Sequence, residues 1–193
     1  PAREAARWDC PAPYPRTILT PMAGLENGYV QVYTGNGKGK TTAALGLVVR
    51  AVGAGLKVFI GQFLKTGTYS EVSALEKFGP SVVLEQFGGK RFIRQEPTEE
   101  DHKRAAEGLA RARETVSSGE YDLVVLEEIN VAVSMGLIPA AEVLELIRTK
   151  PSRVEIVLTG RRAAPEIIEA ADLVTEMREI KHYYQRGVTS RRG

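Results

Sequence analysis

The sequence predicts an α/β fold with a mostly parallel central sheet and helices on both faces. Three observations carry that expectation. Apolar runs of strand length recur along the chain and alternate with helical stretches. The strongest run, around 121–126, is apolar without alternation, as a strand buried on both faces must be. A glycine-rich turn joins the first run to the first helix.

The elements follow in order. Residues 29–33 form a short strand ending in the glycine turn, and 41–52 form a helix stopped by Gly53 and Gly55. Residues 57–64 are a second strand, 71–78 a short helix and 81–87 a third strand. The longest helix is 99–118, opened by Pro97-Thr98 with Glu99, Glu100 and Asp101 in its first turn, where carboxylates favour the positive helix end. Strand 121–126, helix 139–148, strand 153–159, helix 165–170 and strand 173–177 complete the pattern. Residues 1–27 carry Pro1, Pro11, Pro13, Pro15 and Pro21 without periodicity; they are expected to be an arm, flexible or capping another subunit, ahead of one domain over 28–193.

Composition narrows the class of function. Lys plus Arg number 26 against 24 Asp plus Glu, which gives no footprint for nucleic-acid binding. The single cysteine, Cys10, rules out an internal disulfide and fits a reducing, cytoplasmic compartment. The apolar runs are too short to span a bilayer, so no membrane partner is expected.

The decisive segment is Thr34-Gly35-Asn36-Gly37-Lys38-Gly39-Lys40-Thr41-Thr42. Glycines let the backbone turn tightly and aim successive N–H groups inward, making an anion-sized nest, and the following helix adds its positive end. Lys40 supplies a full charge to the phosphates of ATP, and the Thr41 hydroxyl suits a phosphate-bound Mg²⁺ (or Mn²⁺). Position 34 departs from the usual phosphate-loop pattern, which has glycine there. The extra glycines 35 and 37 point to a loop built differently at its mouth.

Residues 121–128 end an apolar strand in two carboxylates, Glu127 and Glu128. A carboxylate at this place in P-loop folds reaches the metal directly or through water. Glu127 occupies the position where aspartate is usual, and Asn130 is placed to orient either carboxylate.

The phrases TGNGKGKTTAALG, QFLK (62–65), DLVVLEEIN (122–130), GLIP (136–139), VLTGR (157–161) and ADLVTEMREIKHYYQRGV (171–188) together resemble the P-loop corrinoid adenosyltransferase family. The resemblance covers 28–193 and includes the departure at Thr34. It implies a RecA-like P-loop fold and transfer of the 5′-deoxyadenosyl group of ATP to Co(I) of a corrinoid, cobalamin or cob(I)yrinic acid a,c-diamide, releasing triphosphate. Co(I) is itself the nucleophile, so no Ser, Cys or His base is needed. By this resemblance Gly35, Asn36, Gly37, Lys38, Gly39, Lys40, Thr41 and Thr42 hold the triphosphate, with Lys40, Thr41 and Glu128 catalytic. Glu128, Thr41 and, through water, Glu127 hold the metal. Arg161 lies near the nucleotide. Phe92 stands where relatives carry an aromatic that displaces the lower cobalt ligand, with Lys90 at its companion position. A homodimer and a flavoprotein or other reductant are the implied partners.

Of the remaining polar residues, His182 is the better candidate for substrate contact, whereas His102 is expected on a solvated helix surface. The run Arg104, Arg111, Arg113 is read as a wet helix face. Two rivals share the loop: a small-molecule kinase or ATPase, and a binding module for ATP or corrinoid without turnover.

Overall fold

The computed structural model describes residues 24–89, 93 and 96–189. Six strands form one sheet in the order β3-β2-β4-β5-β1-β6, and every pairing is parallel. They are β1 (Val30–Thr34), β2 (Val58–Phe63), β3 (Val82–Phe87), β4 (Leu123–Glu127), β5 (Glu155–Thr159) and β6 (Leu173–Glu176). The helices are α1 (Lys40–Gly53), α2 (Ser70–Leu75), α3 (Glu99–Ser118), α4 (Ile129–Ser134), α5 (Ala140–Thr149) and α6 (Pro165–Ala170). The proposed arm lies almost wholly outside the described residues.

The period of two along each strand sorts side chains between two cores. Phe59, Phe63, Val124, Leu126, Ile156 and Leu158 face the layer formed by α3 to α6. Val58, Ile60, Leu123, Val125 and Val157 face α1 and α2. Burying a Phe63-sized side chain contributes about 2–3 kcal/mol. On one side α3 approaches so closely that a Cβ on Gly108 would lie 2.8 Å from the rings of Phe63 and Phe87. The Thr98 hydroxyl accepts from the Asp101 N–H while the Asp101 carboxylate accepts from the Thr98 N–H, a reciprocal cap at the start expected for the long helix.

Two expectations change. The helix expected over 71–78 stops at Leu75, and a 3₁₀ stretch continues through Glu76–Ser81, which contains Pro80 and a left-handed Gly79. The strand expected to end at residue 126 includes Glu127, which pairs in register with Gln62. The arginines of α3 stay solvated, their side chains 37–44% exposed, but they are also paired: Arg111 bonds Glu85 of β3 at 2.9 Å and lies over the Phe59 ring, Arg113 pairs with Glu142 of α5, and Arg104 pairs with Glu100. His102 is exposed, as expected.

Candidate active site

The loop follows β1 directly and ends where α1 begins at Lys40. Gly35 and Gly39 take φ values of 92° and 115°, which glycine adopts without strain. The two additional glycines have a packing cause. A Cβ on Gly35 would lie 2.5 Å from the Met177 carbonyl oxygen, and one on Gly37 would lie 2.7 Å from it. The chain leaving β6 is therefore the floor of the loop. The Gly37 N–H donates to Met177 O at 2.6 Å, and the Met177 N–H donates to Thr34 O at 2.8 Å. Thr34, the departure from the usual pattern, accepts from the Ala163 N–H at 3.2 Å through its hydroxyl. That bond ties the loop's first residue to the connection carrying Arg161.

Lys40 is 8% exposed. Its ammonium donates to Gly35 O at 2.7 Å and Gly37 O at 2.8 Å, so the charge rests against the loop it serves. Burial, and secondarily Arg161, hold its pKa below the usual lysine value, while Glu128 opposes them. No side chain caps α1 and no acid stands in its first turn, so its positive end is uncompensated by protein. Asn36 and Thr42 are exposed along the loop. Lys38 turns outward, its ammonium 2.7 Å from the Tyr183 hydroxyl.

Glu127 is the carboxylate that meets the loop. It is 2% exposed and bound on both oxygens. Its Oε1 accepts from the Thr41 hydroxyl at 2.5 Å and from Lys65 Nζ at 2.7 Å, and its Oε2 accepts from Gln62 Nε2 at 2.6 Å. Gln86 backs Gln62 at 2.9 Å. Glu128 occupies a left-handed conformation with φ 61°, and its N–H donates to the Thr159 hydroxyl at 3.1 Å. Burial pushes its carboxyl above the usual value; Lys65 opposes the rise and Glu127 adds to it. Asn130 was expected to orient a carboxylate, but its buried side-chain amide bonds neither Glu127 nor Glu128. The cause is the left-handed turn at Glu128, which starts α4 and carries Asn130 under Gly160.

These residues enclose a cavity of about 520 Å³. Its walls include residues 37–42 of the loop, Leu64, Lys65, Tyr69, Ile93, Glu128, Met135 and Arg161. The non-glycine residues with positive φ among the described residues are Leu64, Glu128 and Arg162, each just past the end of β2, β4 or β5 at this rim. Backbone strain of this kind, on the order of 1–3 kcal/mol each, concentrates where a site is held open. Arg161 also borders a neighbouring cavity of about 440 Å³ with Glu179, His182, Tyr184 and Gln185, which puts His182, the candidate for substrate contact, beside the site. Phe92 and Lys90 lie outside the described residues. A third hollow of about 280 Å³, at the opposite ends of the strands near Leu25, Leu47 and Arg50, gathers no comparable set of cations.

The residues fit a magnesium ion. Thr41 and Glu127 offer two hard oxygens that converge within hydrogen-bond distance. No cluster of three or more His, Cys, Asp or Glu that could hold a metal occurs among the described residues. Magnesium tolerates such a sparse set because phosphate oxygens and water complete its octahedron. Lys65 and Tyr69 receive no role from the sequence, although Lys65 closes the QFLK phrase (62–65) just beyond an apolar strand end.

Comparison with known proteins agrees with the geometry. The family described as ATP:corrinoid adenosyltransferase BtuR/CobO/CobP matches residues 26–193. The chain is 36% identical over 169 residues to a corrinoid adenosyltransferase of Pseudomonas aeruginosa, covering 87% of this chain and 83% of that protein. It is 35% identical over 170 residues to the corrinoid adenosyltransferase of Escherichia coli K12, covering 87% and 85%. Corrinoid adenosyltransferase CobA of Salmonella typhimurium is 34% identical over 176 residues, with the same coverages of 87% and 85%. Among solved structures, a KaiC-like protein of Pyrococcus horikoshii superposes with a TM-score of 0.52 at 17% identity, over 78% of this chain and 73% of that one, a likeness of fold alone.

Proposed function

The chain belongs to the ATP:corrinoid adenosyltransferase family, and from that premise we propose that its 520 Å³ loop cavity holds the triphosphate of ATP while the 5′ carbon faces the corrinoid. The enzyme transfers the 5′-deoxyadenosyl group of ATP to the cobalt of a corrinoid. The cobalt electron pair forms the new bond to the 5′ carbon, the bond from that carbon to the α-phosphate oxygen breaks, and triphosphate leaves with the two electrons of the broken bond. No protein base takes part in this balance.

The residues of this chain bind and orient. Lys40, Arg161 and the amides at the start of α1 neutralise the tail that becomes the leaving group, in an open cleft where they are fixed before the charge develops. Glu127 and Thr41 would hold a magnesium ion, which when bound supplies positive charge to the phosphate oxygens. Glu128 faces the same cavity one residue on, placed to accept from a water in the metal's shell or to touch it. Lys38, at the edge of the loop cavity, bonds Tyr183, and His182 beside it lines the neighbouring cavity, on the side where a corrinoid edge would rest. Phe92 is assigned to the lower face of the cobalt by resemblance.

The observation that carries this reading is the bond from Thr41 to Glu127, which joins the phosphate loop to the acidic strand across the intervening β5. The test mixes protein, MgATP and a chemically reduced corrinoid without oxygen. A light-sensitive cobalt–carbon product with stoichiometric triphosphate is expected. ADP with phosphate, or a phosphorylated product, would instead identify a kinase or ATPase. Corrinoid binding without product would identify a sensor.

The finer setting belongs to the same proposal. A homodimer is supported by apolar residues left exposed at the β6 edge, Leu173 and Val174, and beyond it at Ile180. A separate reductant, a flavoprotein or its equivalent that supplies Co(I), belongs to this reading through the family resemblance. Cytoplasmic residence is supported by the lone Cys10. No helix among the described residues is long and apolar enough to cross a membrane.

A further inference from the structure

Lys65 is no part of the loop, yet its ammonium lies 2.7 Å from Glu127 Oε1, the oxygen that the Thr41 hydroxyl also bonds. A divalent ion held by Thr41 and Glu127 would compete with Lys65 for that oxygen. Two backbone features aim the side chain there. Leu64, at φ 58°, turns the chain sharply where β2 ends. Gly88, beyond β3, leaves room for the turn: a Cβ there would lie 2.2 Å from Lys65 N and 2.5 Å from Leu64 C. The stem passes Tyr69, with the ammonium 5.8 Å from its ring centroid. Lys65 is only 21% exposed, unlike a free surface lysine.

We infer that Lys65 is a tethered cation with two stations: it holds Glu127 when the site carries no nucleotide, and it moves to the triphosphate when Glu127 takes a divalent ion. The inference rests on the reading of the loop as a triphosphate site. The physical reason is charge balance. A carboxylate as buried as Glu127 is costly without a cation beside it, and the ammonium supplies one. Once a divalent ion shares the oxygen, two cations within a few ångströms repel, and the ammonium must leave. Its flexible four-carbon stem allows the move, and of the anions within the cavity that Lys65 already lines, Glu128 and the triphosphate, the triphosphate carries the larger charge. There it adds charge to a leaving group whose negative charge grows as the carbon–oxygen bond breaks.

The test uses the full chain with Lys65→Met and Lys65→Arg. Manganese binding without nucleotide is read by electron paramagnetic resonance, and binding of inorganic triphosphate in saturating magnesium by calorimetry. In Lys65→Met, manganese is expected to bind at least about fivefold tighter, since its competitor is gone, and triphosphate about tenfold weaker, a loss of one charge-assisted contact. Lys65→Arg is expected to recover most of the triphosphate affinity. Unchanged manganese affinity or unchanged triphosphate affinity in Lys65→Met overturns the proposal. Should Lys65→Met fail to fold, the wild-type protein answers by lysine acetylation read by mass spectrometry. Protection of Lys65 by magnesium triphosphate beyond magnesium alone supports the second station, and equal labelling overturns it. A wild-type protein that binds no triphosphate removes the loop reading and this proposal together. Normal wild-type binding with an indifferent Lys65→Met removes this proposal alone.

Discussion

Glu127 can be separated into a structural and a functional part by two substitutions. Glu127→Ala removes the acceptor for Gln62, Thr41 and Lys65 at once. The losses differ. Gln62 is fully buried, and its side-chain N–H group loses its acceptor at a cost of about 1–3 kcal/mol. The Lys65 head reaches solvent and rehydrates, and Thr41 is only partly covered, so these add little. A net loss of about 2–3 kcal/mol is expected, or roughly 5–10 °C in melting temperature for a chain of this length. Glu127→Gln keeps the shape and one acceptor oxygen, and should melt within about 1 kcal/mol of the parent. Both variants should lose magnesium-dependent turnover by at least about 100-fold, because neither presents a carboxylate to the ion. Urea or thermal melts followed by circular dichroism, paired with triphosphate release, measure the two parts. Near-parental turnover in Glu127→Gln would refute the metal role. An unshifted melt in Glu127→Ala would refute the account of the buried network.

Lys40→Ala should keep the fold and lose turnover by about 100-fold or more, since the loop loses its full charge; parental activity would remove its role. Phe92→Ala should use Co(II) corrinoid with a protein reductant poorly and preformed Co(I) almost normally, and equal loss on both would reject ligand displacement. Glu128→Gln should stabilise the chelated, nucleotide-free protein near neutral pH by a few degrees. The sign follows from its raised carboxyl pKa: the folded state prefers the protonated form, so a penalty appears as pH rises from the ordinary carboxylate value through the raised one. Melts from pH 4 to 7.5 should therefore converge at the acid end, and a gap that persists there would contradict burial as the cause.

The parts of the fold legible in the sequence were those set by local rules. The strand runs, the acidic opening of α3 and the glycine turn before α1 depend on periodicity and capping, and each lies within a few residues of its expected place. Thr41 and Glu127, both given to the metal by resemblance, lie within hydrogen-bond distance of each other. What escaped reading depends on partners distant in the chain. Glu127 belongs to β4 because Gln62 pairs beside it, and that register is invisible in an apolar run ending at Leu126. Helix α4 begins at a left-handed glutamate with no capping side chain, so nothing local announces it. The glycines at 35 and 37 read as features of the loop mouth, whereas their cause is Met177, some 140 residues onward.

The floor beneath the loop has a consequence for synthesis. β1 pairs with β5 on one side and β6 on the other, and Gly37 bonds the residue after β6. A chain still on the ribosome has made the whole phosphate-loop sequence early, yet lacks β5 until residue 159 has emerged, and β6 and the floor until residue 177 has emerged. The grip on nucleotide thus matures last although its letters are translated first, and a prematurely terminated product would carry the motif without the means to close it.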